Sequence, residues 1–320
     1  MCIRDSSYVC EVIDYKKYNN FKCQGANGHF EYLFFIEKKP TDRVVIESPL
    51  NYTGSKSKMV RFIKSQLPQK DIDIFVDAFG GGFNVGINIE AKKIIYNDIN
   101  PFVEGLIRSF YTDPCSYLQY IERQIKKYNL SPDNKDGFLK LRDKYNSIPI
   151  VKRDPRMLYT LILYGFQQQI RFNTNWGFNN PAGSRWFNEN LLSKFIAFTR
   201  SLQTKNVEFM NSNFEFLDIQ LTPQTFIYAD PPYRSTLGVY NDGKRGFEGW
   251  TIAHERKLCK FLDMVNKHEA KFMLSYVVKV GDFINTEIIE WTNKNKYHMV
   301  DVVTTQGRYN NRHEVLIKNY

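Results

Sequence analysis

The chain has 320 residues, 42% hydrophobic and 15% aromatic, with 44 Lys and Arg against 34 Asp and Glu for a formal charge of +10. That length bounds the architecture to one large α/β domain, or one with a smaller insert, and leaves ample apolar material for a core. The positive balance favours a polyanionic partner whose phosphates would make binding salt-dependent. No apolar run reaches the roughly 18 residues of a transmembrane helix. The opening stretch MCIRDSSYVC lacks the apolar centre of a secretory leader. Cys2, Cys10, Cys23, Cys115 and Cys259 form no paired or His-containing cluster, so the expectation is a cytoplasmic protein with reduced thiols, no bound metal and no membrane contact.

Residues 1–47 read as an N-terminal extension of unassigned role, with strands at 30–36 and 44–46. In 48–56, Tyr52, Gly54 and Lys56 precede a helix over 57–67, and an anionic group would sit well at such a helix start. A buried-strand pattern covers 71–79 and runs into Gly80-Gly81-Gly82, where absent side chains let backbone approach a ligand or turn sharply. A second strand, 93–96, ends at Asn97-Asp98. An acid at the tip of that strand is placed to hold two ribose hydroxyls. Asn100-Pro101 then starts a helix, with Asn as cap and Pro in the first turn.

From 115 to 200 the pattern turns mainly helical, with helices expected over 117–128, 138–145, 155–168 and 189–201. Between them lies a loop, 171–186, rich in Asn, Gly and aromatics and flanked by arginines. Arg171, Asn173, Asn179 and Arg185 are the side chains there suited to base edges and phosphates, and the aromatics suit the gap left by an extruded base. Strands follow at 207–210 and 226–229. A polar loop over 234–250 carries Lys244 and Arg245 and reads as a cover over the strand ends. A helix over 251–267, a strand at 271–277, a helix at 283–291, a strand at 296–303, a basic loop holding Arg308 and a strand at 314–317 complete the chain. Alternating strands and helices argue for an α/β sheet interrupted by a helical insert.

The chemistry concentrates at Asp230-Pro231-Pro232-Tyr233, directly after the strand at 226–229. Two prolines fix their own φ angles, remove two backbone donors and force the chain out of the sheet in one direction. A carboxylate, a free carbonyl and an aromatic ring are thereby held together at a strand's carboxyl end, where open α/β sheets bind ligands. The exocyclic amine of adenine or cytosine is a poor nucleophile because its lone pair is delocalised into the ring. Two acceptors, the Asp230 carboxylate and the Pro231 carbonyl, would take its two N–H groups and stabilise the positive charge that grows as it attacks a methyl group. Tyr233 would stack on the base.

The 51–56 segment, the strand–glycine loop, Asp98, the RFNTNWGFNNPAG loop and Asp230-Pro231-Pro232-Tyr233, in that order, resemble the Dam-type (D12 class, alpha subgroup) DNA adenine methyltransferases over about 48–318. The resemblance implies a Rossmann-like, mostly parallel seven-stranded sheet with an antiparallel last strand. It implies a catalytic domain over 48–114 and 201–320 and a target-recognition insert over 115–200. By the same resemblance Tyr52, Lys56, Asp77, Phe79, Gly80, Gly81, Asp98, Asn213 and Asp230 form a site for S-adenosylmethionine. Lys244, Arg245 and Arg308 join the insert's residues against double-stranded DNA, and a cognate restriction endonuclease is an expected partner. Two positions depart from the family pattern. Phe83 stands where the Phe-x-Gly-x-Gly loop ends in glycine, and Asn213 stands where many relatives carry an acid. The alternatives are transfer to cytosine N4, RNA or a protein amide, a nicotinamide-dependent oxidoreductase, which should carry a GxGxxG that this chain lacks, and a catalytically silent DNA-binding relative.

Overall fold

In the computed structural model, residues 9–11, 22–24, 30–31, 45–69, 72–234, 249–302 and 312–320 are described. They fall into two compact units, one of Met1–Tyr52 with Gly105–Thr204 and one of Thr53–Glu104 with Lys205–Tyr320.

In the first unit, β1 (Val9–Glu11), β2 (Lys22–Gln24) and β3 (Phe30–Glu31) form a small antiparallel sheet. The rest of the strand expected at 30–36 lies outside the described residues. Val45 and Ile46 carry no regular structure, against the strand expected there. After α1 (Val60–Ser65) of the second unit, four helices follow the end of α2 (Pro101–Thr112): α3 (Pro114–Tyr128), α4 (Lys135–Ser147), α5 (Pro155–Tyr164) and α6 (Glu189–Gln203). Their starts are written into the sequence: the Asp113, Asn134, Asp154 and Asn188 side chains each accept a first-turn N–H, and Pro114 and Pro155 occupy first-turn positions. Phe110, Tyr117, Tyr159 and Phe195 pack as the centre of this unit, with ring centroids 4.9–5.8 Å apart.

The second unit is built on β4 (Ile74–Asp77), β5 (Lys93–Asn97), β6 (Val207–Met210), β7 (Thr225–Ala229), β8 (Lys271–Val280), β9 (Phe283–Ile284), β10 (His298–Asp301) and β11 (Arg312–Lys318). The strands run in the order β10-β11-β8-β7-β4-β5-β6, with β9 paired to the end of β8. Every neighbour from β6 to β8 is parallel. β11 enters antiparallel to both β8 and β10. This is the mostly parallel sheet with an antiparallel last strand that the family resemblance implies, with eight strands rather than seven. The additional strand, β9, replaces the start of the helix expected at 283–291. Gly281-Asp282 makes a two-residue hairpin loop, with Gly281 at φ 55°, so Phe283 folds back onto Val280. Asn285 then caps α8 (Thr286–Lys294) by accepting from Ile288 N–H.

The centres of β4, β7 and β8 are continuous apolar runs because both sheet faces are covered. α7 (Ile252–Lys267) lays Leu258, Phe261, Leu262 and Val265 onto one face, the spacing of a single helical stripe. Thr251 and His254 close a capping box at its start. The carboxyl edge is tied by Asn97, which is 1% exposed. Its amide donates to Ala78 O (2.9 Å) and Ser212 O (3.0 Å) and accepts from Ser212 N–H (3.0 Å). Asn97→Ala strands two carbonyls and one N–H at the ends of β4 and β6. Urea unfolding followed by circular dichroism should show a loss of about 2–3 kcal/mol.

Candidate active site

Three carboxylates stand at the carboxyl ends of three adjacent strands: Asp77 closes β4, Asp98 follows β5 and Asp230 follows β7. The parallel pairing that aligns Asp77 with Tyr96 on one side and Tyr228 on the other sets them at a common edge.

Between β4 and β5 the backbone folds tightly on itself. Gly80 N–H donates to Asn97 O (2.7 Å), and a Cβ at Gly80 would fall 2.3 Å from the Tyr96 ring. Gly81 N–H donates to Asp98 Oδ2 (2.8 Å), and the Tyr96 hydroxyl donates to Gly81 O (2.8 Å). The Asp98 Oδ1 accepts from Asn100 N–H (2.8 Å). Phe83, at the departure from the family pattern, takes φ 60°, the left-handed region that glycine enters freely. The conformation survives with a side chain because the ring is buried edge-on against Tyr96, centroids 4.9 Å apart. Phe79 is half-buried against Phe214 and Trp250.

Asp77 is 2% exposed, and its Oδ2 accepts from Gly86 N–H (3.0 Å). Burial pushes its carboxyl up to about 7. The Gly86 hydrogen bond opposes the rise, and the charges of Asp230 and Asp98 add to it. Asn213 is half-buried and uses its carbonyl oxygen to accept from Glu215 N–H (3.2 Å), while its amide donates to Glu215 Oε1 (3.3 Å).

At the Asp-Pro-Pro-Tyr corner, Asp230 Oδ1 lies 2.8 Å from Lys56 Nζ and accepts from the Tyr233 hydroxyl (2.6 Å). Lys56 Nζ also donates to the Tyr233 oxygen (2.7 Å) and to Gly54 O (3.3 Å). Lys56 is 5% exposed. Burial works against its charge, but Asp230, Tyr228 and Glu314 outweigh burial and raise its pKa. Burial raises the Asp230 carboxyl as well, against the pull of Lys56 and the Tyr233 hydroxyl. Lys56 and Tyr233 thus hold Oδ1, and among the described residues none hydrogen-bonds Asp230 Oδ2. Tyr233 is 4% exposed, with Tyr276 packed edge-on at 5.2 Å and the Arg312 guanidinium 5.4 Å from its centroid.

Glu314 belongs to this cluster and carried no sequence signal. Its Oε1 lies 3.5 Å from Lys56 Nζ and 3.4 Å from the Tyr233 hydroxyl. The β8–β11 register shifts between His313 and Glu314, and such a bulge re-aims a side chain that strict alternation would place elsewhere. Tyr52, partly exposed, belongs to the first unit.

In that unit the Asn-rich loop spends much of its polarity on itself. Asn173 accepts from Asn175 N–H (3.0 Å) and Gly177 N–H (2.8 Å), and buried Asn180 donates to Phe166 O (2.9 Å) and Gln169 O (3.0 Å). Phe172, Trp176 and Phe178 are buried against one another. Asn179 is half-buried, whereas Arg171 and Arg185 are exposed and Trp186 is 50% exposed. Two residues that the sequence reading missed hold the loop from below. Asn146 exchanges hydrogen bonds with Phe178 O (3.0 Å) and N–H (2.8 Å). Arg153 donates to Ile148 O (3.1 Å) and Trp176 O while lying 4.9 Å from the Tyr145 centroid. Lys244, Arg245 and Arg308 lie outside the described residues. Among the described residues no helix is long and apolar enough to cross a membrane, and no His, Cys, Asp and Glu cluster could hold a metal.

Residues 52–306 match the family described as D12 class N6 adenine-specific DNA methyltransferase. The chain belongs to that family. It is 38% identical, over 98% of its length, to the type II methyltransferase M.FokI of Planomicrobium okeanokoites, covering 52% of that protein. It is 37% identical, over 96% of its length, to the modification methylase StsI of Streptococcus sanguinis, covering 50% of it. A DNA adenine methylase of Vibrio cholerae is 25% identical over 74% of this chain and 82% of its own. The chain thus spans about half the length of the first two relatives.

The raised carboxyl of Asp77 has a definite consequence for stability. Its folded pKa of about 7 lies above the 3.8 of the free side chain, so its contribution is fully present below about pH 3.8 and is lost as pH rises through about 7. Relative to Asp77→Asn, which still offers Gly86 an acceptor, the wild-type protein should lose stability between pH 4 and pH 7.5. Urea midpoints of both proteins across that range measure the difference.

Proposed function

We propose that the second unit transfers a methyl group from S-adenosylmethionine to the exocyclic N6 amine of adenine in double-stranded DNA, with the base extruded from the duplex. The observation that carries this reading is the half-held Asp230 carboxylate. Lys56 and Tyr233 fix Oδ1, and Oδ2 faces no described partner at the carboxyl edge of the sheet. S-adenosylmethionine, when bound, supplies an electrophilic methyl on a sulfonium sulfur. The residues present suit such a group: Asp98, held to the glycine turn by Gly81 N–H, stands at the tip of its strand where an acid would meet two ribose hydroxyls, and the Asp98 and Asp230 carboxylates favour a cation at the strand ends. The Asp230 carboxylate and the Pro231 carbonyl would accept the two N–H groups of the amine, orient its lone pair and stabilise the charge that develops on nitrogen. A carboxylate is far too weak a base to deprotonate the amine beforehand, so the proton leaves after methyl transfer. Tyr233 would support the extruded base, and Phe79, Gly80 and Gly81 would line the cofactor. The family resemblance assigns Tyr52, Lys56 and Asn213 to the cofactor in this reading, Lys56 acting through Asp230.

The insert over 115–200 would recognise DNA, with Arg171 and Arg185 as the exposed cations of its Asn-rich loop and Asn179 in the same loop, while Asn173 maintains the loop that presents them. Lys244, Arg245 and Arg308 join this reading on sequence grounds. A cytoplasmic setting and a partner endonuclease belong to it as well, the relatives being named modification methylases.

Incubation with labelled S-adenosylmethionine and unmethylated DNA, then nucleoside analysis, should yield labelled N6-methyladenine. Label only in cytosine, RNA or protein would select a different amine acceptor. Asp230→Ala should lower transfer at least ~10²-fold while circular dichroism stays native, and near-normal turnover would remove Asp230 from the chemistry. Arg171→Ala and Arg185→Ala should each weaken DNA binding and reduce the salt slope by about 1, read by fluorescence anisotropy across a salt series. Asn173→Ala should instead lower the melting temperature and leave that slope unchanged.

A further inference from the structure

The most deeply buried carboxylate near the corner is one the mechanism above does not use. Glu255 lies in the first turn of α7 and is 0% exposed. A carboxylate is almost never buried so completely without partners that repay its lost hydration. Glu255 Oε1 accepts from the Tyr276 hydroxyl (2.5 Å) and from Asn285 Nδ2 (2.6 Å). Its Oε2 lies 3.4 Å from a terminal nitrogen of Arg234 and makes no hydrogen bond among the described residues. Its place in the helix's first turn also lets the helix dipole favour the charge.

Each partner leads to a defined place. Arg234 directly follows Tyr233, and its guanidinium lies 5.0 Å from the Phe283 ring centroid on β9. Tyr276, itself 0% exposed, packs edge-on against Tyr233. Asn285 caps α8. Glu255 therefore grips the Asp-Pro-Pro-Tyr corner from two sides, through the residue that follows it and through the ring that supports its tyrosine. We propose that Glu255 is a positioning residue for methyl transfer: by holding Arg234 and Tyr276 it fixes Tyr233 and, with it, the Asp230 carboxylate that Tyr233 hydrogen-bonds. The inference rests on the methyl-transfer reading, but it concerns a residue that touches neither substrate nor cofactor.

A role confined to packing and a role in positioning differ in what they move. Glu255→Gln keeps an acceptor for Tyr276 and Asn285 and removes the charge that holds Arg234. Single-turnover methylation of an adenine-containing duplex should fall roughly ten- to hundred-fold, the scale expected for misplacing a reacting group by a fraction of an ångström to one ångström. The dissociation constant for S-adenosylmethionine, by calorimetry, should stay within about two-fold of wild type if alignment alone is disturbed. Arg234→Gln should lower the rate similarly, and the double variant should lose little more than either alone, because both changes break one contact. A folded Glu255→Gln protein with the wild-type rate overturns the proposal. So do losses in rate that multiply in the double variant, and a rate loss matched by weaker cofactor binding and a lower melting temperature. If Glu255→Gln does not fold, Arg234→Gln with an unchanged single-turnover rate overturns it equally. A wild-type protein that methylates no DNA overturns the methyl-transfer reading and this proposal with it, whereas a normal wild-type rate with insensitive variants overturns this proposal alone.

Discussion

The contact between Lys56 and Asp230 is the constraint on which the site depends. Two charges at 2.8 Å, one on a side chain only 5% exposed, have given up most of their hydration. Such a pair contributes little net stability, but removing one partner leaves an uncompensated buried charge at a cost of roughly 3–5 kcal/mol. The pair therefore acts as a test of assembly. It is satisfied only when the segment before the first helix, the end of β7 and the bulged end of β11 all arrive in register. Tyr233 closes the arrangement, its hydroxyl accepting from the ammonium and donating to the carboxylate. A rigid acceptor is thereby made from Lys56 and the Asp230–Tyr233 corner, which lie far apart in sequence, with one carboxylate oxygen immobilised and the other without a hydrogen bond among the described residues.

The sheet explains why this assembly falls where it does. From β4 the chain moves outward through β5 to β6, then returns to the other side of β4 for β7 and β8. At such a reversal the connecting segments leave in opposite directions and open a cleft at the carboxyl ends of the strands. Asp77 and Asp98 approach that edge from one side and Asp230 from the other. The helical segment enters the chain between β5 and β6, so its length can change without altering any strand pairing that builds the cleft.

Much of this was legible because it is local. A strand followed by Gly80-Gly81-Gly82, an acid at the end of β5, and Asp-Pro-Pro-Tyr after β7 are short-range patterns whose backbone consequences follow from sterics. Helix starts were equally readable, since Asp and Asn before Pro or a polar first turn have a local mechanism. What could not be read depends on distant partners. Nothing near Glu314 says that a bulge will turn it toward Lys56, and nothing near Glu255 says that its carboxylate will be sealed among Arg234, Tyr276 and Asn285. The Asn-rich loop shows the same limit in reverse. Its composition suggests a surface made to contact DNA, yet Asn173 and Asn180 hold the loop's own backbone and three of its aromatic rings are interior. The missed β9 hairpin is a different case: Gly281-Asp282 is a local turn signal, overlooked because the apolar residues after it also fit a helix.

Phe83 shows how a departure from a pattern can preserve the geometry that the pattern serves. Glycine is favoured at such a position for its access to positive φ, which usually costs another residue of order 1–3 kcal/mol. Here the side chain that incurs that strain is fully buried against Tyr96, and burying a phenylalanine contributes a comparable ~1.5–3 kcal/mol. The ring in turn restricts what can follow it, since a Cβ at Gly86 would fall 2.1 Å from the Phe83 ring. Gly86 is also the residue whose N–H meets Asp77. The same substitution that fills the space beneath the loop therefore also demands a glycine at the backbone donor that steadies the acid. Loop strain, ring packing and the environment of the Asp77 carboxylate are thus a single coupled choice, which explains how this turn can lack its last glycine and still bring Asp98 to Gly81.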